Sequence, residues 1–168
     1  MLDTIAQLFG RVTGMLKSVE WIGPLLVRIC AGGTFAISGW GKVLEPPVEF
    51  FQQLGIPAPE FQAVFVAYNE FIFGMLILLG LATRLSAIPC SIIMIVAILT
   101  AQIENITGAE TFFGSINALI LTNELCYLTM FVWLFVSGPG AVSIDALIAK
   151  SIGKESDGSV AGAHPARS

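Results

Sequence analysis

Residues 61–101 read FQAVFVAYNEFIFGMLILLGLATRLSAIPCSIIMIVAILTA, with Glu70 and Arg84 as the only charged side chains among them. The apolar run from about Phe61 to Leu81, and the next from Leu85 to about Ala101, each have the length of a membrane-crossing helix, about 20 residues rising 1.5 Å apiece. Ala82-Thr83-Arg84 between them leaves room only for a tight turn, so two antiparallel helices lie side by side.

Two further spans flank this pair. From Trp21 to about Gly41 the chain is apolar or small except for Arg28, with Trp21 and Trp40 at its ends as interfacial aromatics tend to stand. A last run extends from about Phe113 to Val136 and stops at Ser137-Gly138-Pro139-Gly140. The fold class that follows is all-α, a four-transmembrane-helix bundle with both ends of the chain on one side. Composition agrees: of 168 residues 55% are hydrophobic and 12% charged, with a mean hydropathy of +0.84, where a soluble domain carries roughly a quarter charged residues.

The connections are read by their punctuation. Pro46, Pro47, Gly55, Pro57 and Pro59 end the first span in an exposed loop, and Phe50, Phe51 and Leu54 suggest that this loop dips back onto the membrane surface. Residues 1–20 carry Leu2, Ile5, Leu8, Phe9, Val12, Met15 and Leu16 at helical spacing, as expected of an amphipathic helix in the interface. With Asp3 early and no basic start, this segment is not expected to be a cleaved signal. The organisation expected is the interfacial helix over 1–20, the bundle over 21–137, a turn and short surface helix over 138–152 capped by Ser143, and a disordered tail over 153–168.

Basic residues sort the loops. Arg11, Lys17, Arg84, Lys150 and Lys154 belong to one side, and Lys42 alone to the other, which carries Glu45, Glu49, Glu60 and Glu110, with Glu104 near the membrane edge. By the positive-inside tendency both termini are cytoplasmic, in a bacterial inner membrane. A net charge of −4 with scattered basic residues excludes nucleic acid as a partner. Cys30, Cys90 and Cys126 are odd in number and lie in apolar runs, as packing residues do.

Arg28, Glu70 and Glu124 fall inside the spans, where an ionisable group costs several kcal/mol unless paired, hydrated or neutralised. Counting 1.5 Å per residue brings Arg28 and Glu70 within reach of one another, and the pair would leave Glu124 over. Tyr68 and Asn69 beside Glu70, and Asn123 and Tyr127 beside Glu124, suggest a polar seam through the bundle. Gly32, Gly33, Ala36, Ser38, Gly39 and Gly41 permit close helix approach. Lys42, at the outer mouth, is expected to snorkel.

Arg28, Ser38-Gly39-Trp40-Gly41-Lys42, Gly55-Ile56-Pro57, Glu70, Gly80-Leu81-Ala82-Thr83-Arg84 and Gly138-Pro139-Gly140 with Ser143 and Asp145, in that order, resemble the DoxX family of small four-helix membrane proteins over about residues 21–150. The resemblance implies a terminal-oxidase or thiosulfate:quinone oxidoreductase context, assembly with redox or thiol-stress proteins, and marked charged positions at Arg28, Lys42, Glu70 and Arg84, without proven roles.

Three functions fit these residues. In the first the chain is a membrane subunit of a quinone-linked oxidoreductase, Arg28 and Glu70 binding the quinone head, Glu70 or Glu124 handling protons and Tyr68 or Tyr127 stacking on the ring. No intramembrane histidine or cysteine cluster offers a haem, iron–sulfur or zinc site, so electrons would come from a redox partner subunit. The second is a non-enzymatic scaffold, alone or as a homo-oligomer in the lipid bilayer; the third, a small-molecule or lipid carrier.

Overall fold

A computed structural model describes residues 13, 14, 17 and 19–161, with side chains to Ile152. The expected interfacial helix falls almost wholly outside the described residues. The described chain is helical throughout, without strands. Helix α1 spans Ile22–Leu44, α2 Val48–Gln53, α3 Pro59–Leu79, α4 Thr83–Ala101, α5 Ile103–Thr107, α6 Phe112–Ile120, α7 Asn123–Ser137 and α8 Ile144–Ala161. Helices α1, α3 and α4 are each long and apolar enough to cross a membrane, and α6 with α7, bent by 64° at a short break, together have the length and apolarity of a fourth span. The spans pack in a ring, α1 on α3, α3 on α4, α4 on α7, and α7 back on the start of α1.

The α1–α3 contact sets the register. A methyl group on Gly32 would lie 2.7 Å from the backbone N of Leu78, one on Gly74 2.5 Å from that of Ala36, and one on Gly39 would fall on the backbone of Phe71. Small residues thus let the two backbones touch, the packing that membrane helices use where there is no hydrophobic drive to bring them together. Gly33 and Gly41, also expected to permit close helix approach, have no such close neighbour.

Leucine, isoleucine and phenylalanine side chains cover the outside, including Ile37 and Phe61, as in a helix whose solvent is lipid. The core is a smaller cluster of Ala31, Phe35, Ile77, Ala87, Cys90, Met94, Phe131 and Leu134. Phe35 meets Phe131 edge to face at 4.7 Å between ring centres, a geometry that aligns ring edge with ring face.

The turn between α3 and α4 is built from both sides. Gly80, at φ +71°, closes α3 with Gly80 N donating to Ile77 O and Leu81 N to Leu76 O, a C-terminal cap that needs the left-handed conformation. Ala82 is also left-handed, at φ +48°, which costs about 1–2 kcal/mol in a residue with a Cβ. Asp145 holds it there: its carboxylate accepts from Ala82 N at 2.8 Å and Thr83 N at 3.1 Å. Ser143 caps α8 as expected, accepting from Ala146 N at 3.1 Å. Helix α8 runs on to Ala161, past the boundary at Gly153 where composition suggested a tail; residues 162–168 lie outside the described residues.

Two expectations about the bundle change. The first is that the fourth span is not one helix from Phe113 to Val136 but two. Thr122 is extended, and its hydroxyl accepts from Leu125 N at 3.4 Å, so a new helix starts at Asn123 inside an apolar run. The second concerns the loop before α3, whose Phe50, Phe51 and Leu54 belong to or border helix α2, packed on α3.

Candidate functional site

Arg28 is the most deeply engaged charge and has no contact with Glu70. Its guanidinium donates from Nε to Ile77 O at 2.9 Å, from Nη2 to Leu78 O at 2.8 Å, and from Nη1 to Pro139 O at 3.1 Å and Val142 O at 2.6 Å. The carbonyls at the end of α3 have no partner within their own helix, and a cation there also meets the negative end of the helix dipole. Arg28 therefore ties α1, the end of α3 and the 139–142 turn together. It starts the single wide turn Arg28–Gly32 of α1, a π-helical distortion of the kind that re-aims side chains.

The expected Arg28–Glu70 pair fails on register. With Gly32 against Leu78 and Gly39 against Phe71, Arg28 lies level with the end of α3, roughly 15–20 Å along the bundle from Glu70. Lys42 takes its place. Instead of snorkelling outward, its Nζ reaches Glu70 Oε1 at 2.8 Å and Oε2 at 2.6 Å, and Ser38 Oγ donates to the same carboxylate at 3.5 Å. The Glu70 side chain is 6% exposed and that of Lys42 36%, so the pair bridges a buried carboxylate to the bundle's open end.

A cavity of about 150 Å³ opens beside this pair. Thr34, Phe35 and Ser38 of α1 line it, with Met94 of α4 and Asn123, Glu124 and Tyr127 of α7. Tyr127 packs edge-on against Phe35 at 5.6 Å. A second cavity of about 210 Å³ shares Lys42, Glu70, Met94 and Glu124 and continues between α2, α3 and α4 along Phe51, Leu54, Val66, Ile93 and Ala97. The first has a polar far wall of Asn123, Glu124 and Tyr127; the second is hydrocarbon along its length apart from Thr100 and the charged end the two share. Together they form a slot that runs from apolar side chains to an ammonium and two carboxylates.

Glu124 owes its place to the break in the fourth span. It lies in the first turn of α7, where a carboxylate suits the positive helix end, and it accepts from Gln102 Nε2 at 3.2 Å. Gln102 in turn accepts from Asn105 Nδ2 at 3.2 Å. Of the residues expected along a polar seam, Asn123 and Tyr127 reach the cavity. Tyr68 does not, being half exposed on the outer face of α3, and Asn69 bonds back to Phe65 O of its own helix at 2.7 Å. Arg84 packs beside Gly138 at the opposite end. Lys42 as partner of Glu70, and Asp145 as a cap for α4, went unread; Thr122-Asn123-Glu124 is itself a helix-start signal.

Among the described residues no three His, Cys, Asp or Glu side chains converge as metal ligands. The donor set suits an organic amphiphile, held by hydrogen bonds at its polar end and by apolar contact along the rest.

The comparisons with known proteins agree with this architecture. The chain is 32% identical over 134 residues to an uncharacterized membrane protein of Mycobacterium tuberculosis, covering 75% of this chain and 81% of that one. It is 31% identical over 137 residues to the inner membrane protein YqjF of Escherichia coli, 80% of this chain and 98% of that one. Over 92 residues it is 37% identical to Bacillus subtilis CatD, provisionally named an oxidoreductase, 54% of this chain and 66% of that one. No solved structure matches it. The DoxX family profile matches residues 23–103, which take in α1 to α4 and both Lys42 and Glu70, and the chain is a membrane protein of the DoxX family.

Proposed function

We propose that this chain is the quinone-binding membrane subunit of an oxidoreductase, and that the slot ending at Lys42, Glu70 and Glu124 is where the quinone head is held. The observation that carries the reading is the slot itself: an apolar passage between α2, α3 and α4 that ends at one ammonium and two carboxylates. A quinone needs that combination, hydrocarbon for its isoprenoid tail and a few placed hydrogen-bonding groups for its ring oxygens. The name of the B. subtilis relative points the same way.

A quinone supplies the two-electron, two-proton couple, with electrons arriving from a partner redox subunit. The residues of this chain do the rest. Lys42 has three N–H groups, two of them directed at Glu70, so its ammonium can donate to a ring oxygen without leaving its counter-ion. Glu70 keeps that ammonium turned inward. Phe35 and Tyr127 supply the aromatic wall, and Phe51 of α2 with Leu54 just after it covers the apolar passage. Arg28 and Tyr68, by their positions, take no part.

The reading places the chain in the bacterial inner membrane, with the Arg28 end, Arg84, Lys150 and both termini on the cytoplasmic side. The test is to purify it in mild detergent from its own membrane and to identify co-purifying subunits and extracted small molecules by mass spectrometry. Stoichiometric quinone with a redox subunit is the expected result, and protein carrying only bulk lipid overturns the reading. A non-enzymatic anchoring role is the second reading. It is favoured by Arg28 and Asp145, whose charges are engaged in holding turns together.

A further inference from the structure

Glu124 differs from Arg28 and Glu70, the other two ionisable groups expected at membrane depth. Arg28 is bound by four carbonyls and Glu70 by Lys42, whereas Glu124 meets a neutral amide and forms no ion pair among the described residues. It faces both cavities and is only partly buried. Behind it Gln102 and Asn105 continue the hydrogen bonds outward, and Asn105 is exposed. A line of polar side chains therefore joins the cavity to the exposed surface at the α4–α5 corner.

The break in the fourth span makes that line feasible. Irregular backbone at membrane depth is tolerated where it is buried in protein or lines a cavity, and the chain between Ile120 and Asn123 turns by 64° beside this one. A carboxyl group there can take up H⁺ as –COOH and return it as –COO⁻, with nothing else made or broken. The charged and titratable groups facing it are Lys42 of α1, Glu70 of α3 and Tyr127 of α7.

We propose that Glu124 is the carboxyl through which the cavity exchanges protons with water at the Gln102–Asn105 corner, the break in the fourth span being the port. This deepens the quinone reading, since the ring oxygens would draw their protons through it, yet it can be tested without a quinone. Hydrophobic carbodiimides add to protonated carboxyls in apolar surroundings. The full chain in detergent is treated with dicyclohexylcarbodiimide across a pH series, and modified peptides are mapped by mass spectrometry. Glu124 is expected to be modified, more slowly as pH rises, while Glu70, held by Lys42, is spared. Preferential modification of Glu70, or none of Glu124, overturns the proposal.

Access is read separately. In a chain with Cys30, Cys90 and Cys126 changed to Ala, Glu124→Cys should react in sealed vesicles with a charged thiol reagent applied to the Lys42 face. Reaction only from the Arg28 face overturns the port. If that variant does not fold, the same reading is taken with Asn123→Cys, the neighbouring position that lines the same cavity. Glu124 modified in a protein that binds no quinone would leave the port standing and remove the quinone reading; quinone bound with Glu124 inert would do the reverse.

Discussion

Arg28 and Lys42 stand on the same helix, both inside the family-matched segment, and the bundle treats them in opposite ways. Arg28 is 3% exposed and every hydrogen bond its side chain makes is to a backbone carbonyl of a turn or helix end. Lys42, about four turns further along α1, instead meets a side chain, Glu70, at the rim of a cavity that also holds Glu124. A guanidinium with five donors suits the fixed array of carbonyls, and a flexible ammonium suits a site that must admit something else. One end of the bundle uses charge to close the fold and the other uses charge to keep a cavity polar.

The largest effect should come from breaking the closed end. Arg28→Leu leaves four carbonyls without their donor, at about 1–3 kcal/mol for each that stays buried and unsatisfied, read as a lowered midpoint of thermal unfolding in detergent. Arg28→Lys should recover only part of it, because one ammonium cannot reach all four acceptors. Full recovery by Lys would mean that charge alone matters and that the contrast between the two residues is empty.

Next come the glycines that set the register between the two ends. Gly39→Ala places a methyl group on the Phe71 backbone and should cost about 1–3 kcal/mol. Gly41→Ala, with nothing within 4 Å, should change unfolding little. Equal losses at both positions would show that the helices do not meet as described.

At the open end the expected signature is asymmetry. Lys42→Met strands a buried carboxylate and should cost about 1–3 kcal/mol; Glu70→Gln leaves an ammonium that can turn to water and should cost less. The double variant should lose less than the sum of the two, as members of one pair do. Additive losses in a thermal-unfolding cycle would dissolve the pair. The smallest effect is Asp145→Ala, which removes the cap on Ala82 N and Thr83 N and should cost about 1 kcal/mol, seen as faster hydrogen exchange at the start of α4.

Much of this was legible in the chain. Spans announce themselves by length and apolarity, as residues 61–101 do, and Ser143 reads as a cap because a hydroxyl before an apolar helix has one common use. The pairing of charges was not legible, because depth counted from each span's end assumes that the ends are level. Residues 22–27 of α1 instead overhang the end of α3 and pack on α7, which slides Arg28 away from Glu70 and brings Lys42 to it. The break at Thr122 is hidden from hydropathy, since the residues on both sides are apolar. Only the polar triplet Thr122-Asn123-Glu124 marks it. Tyr68 and Asn69 were drawn into the seam by adjacency to Glu70, yet neighbours on a helix point about 100° apart.

The most direct test of the open end as a binding site is photo-crosslinking with a short-chain azido-quinone, mapped by mass spectrometry on the full chain in lipid. The account predicts adducts on peptides containing Phe51, Met94 and Tyr127, lost on addition of unlabelled quinone and weakened by Lys42→Met. Adducts concentrated instead around Leu25, Arg28 and Val142 at the closed end, or spread over the lipid-facing surface without competition, would contradict it.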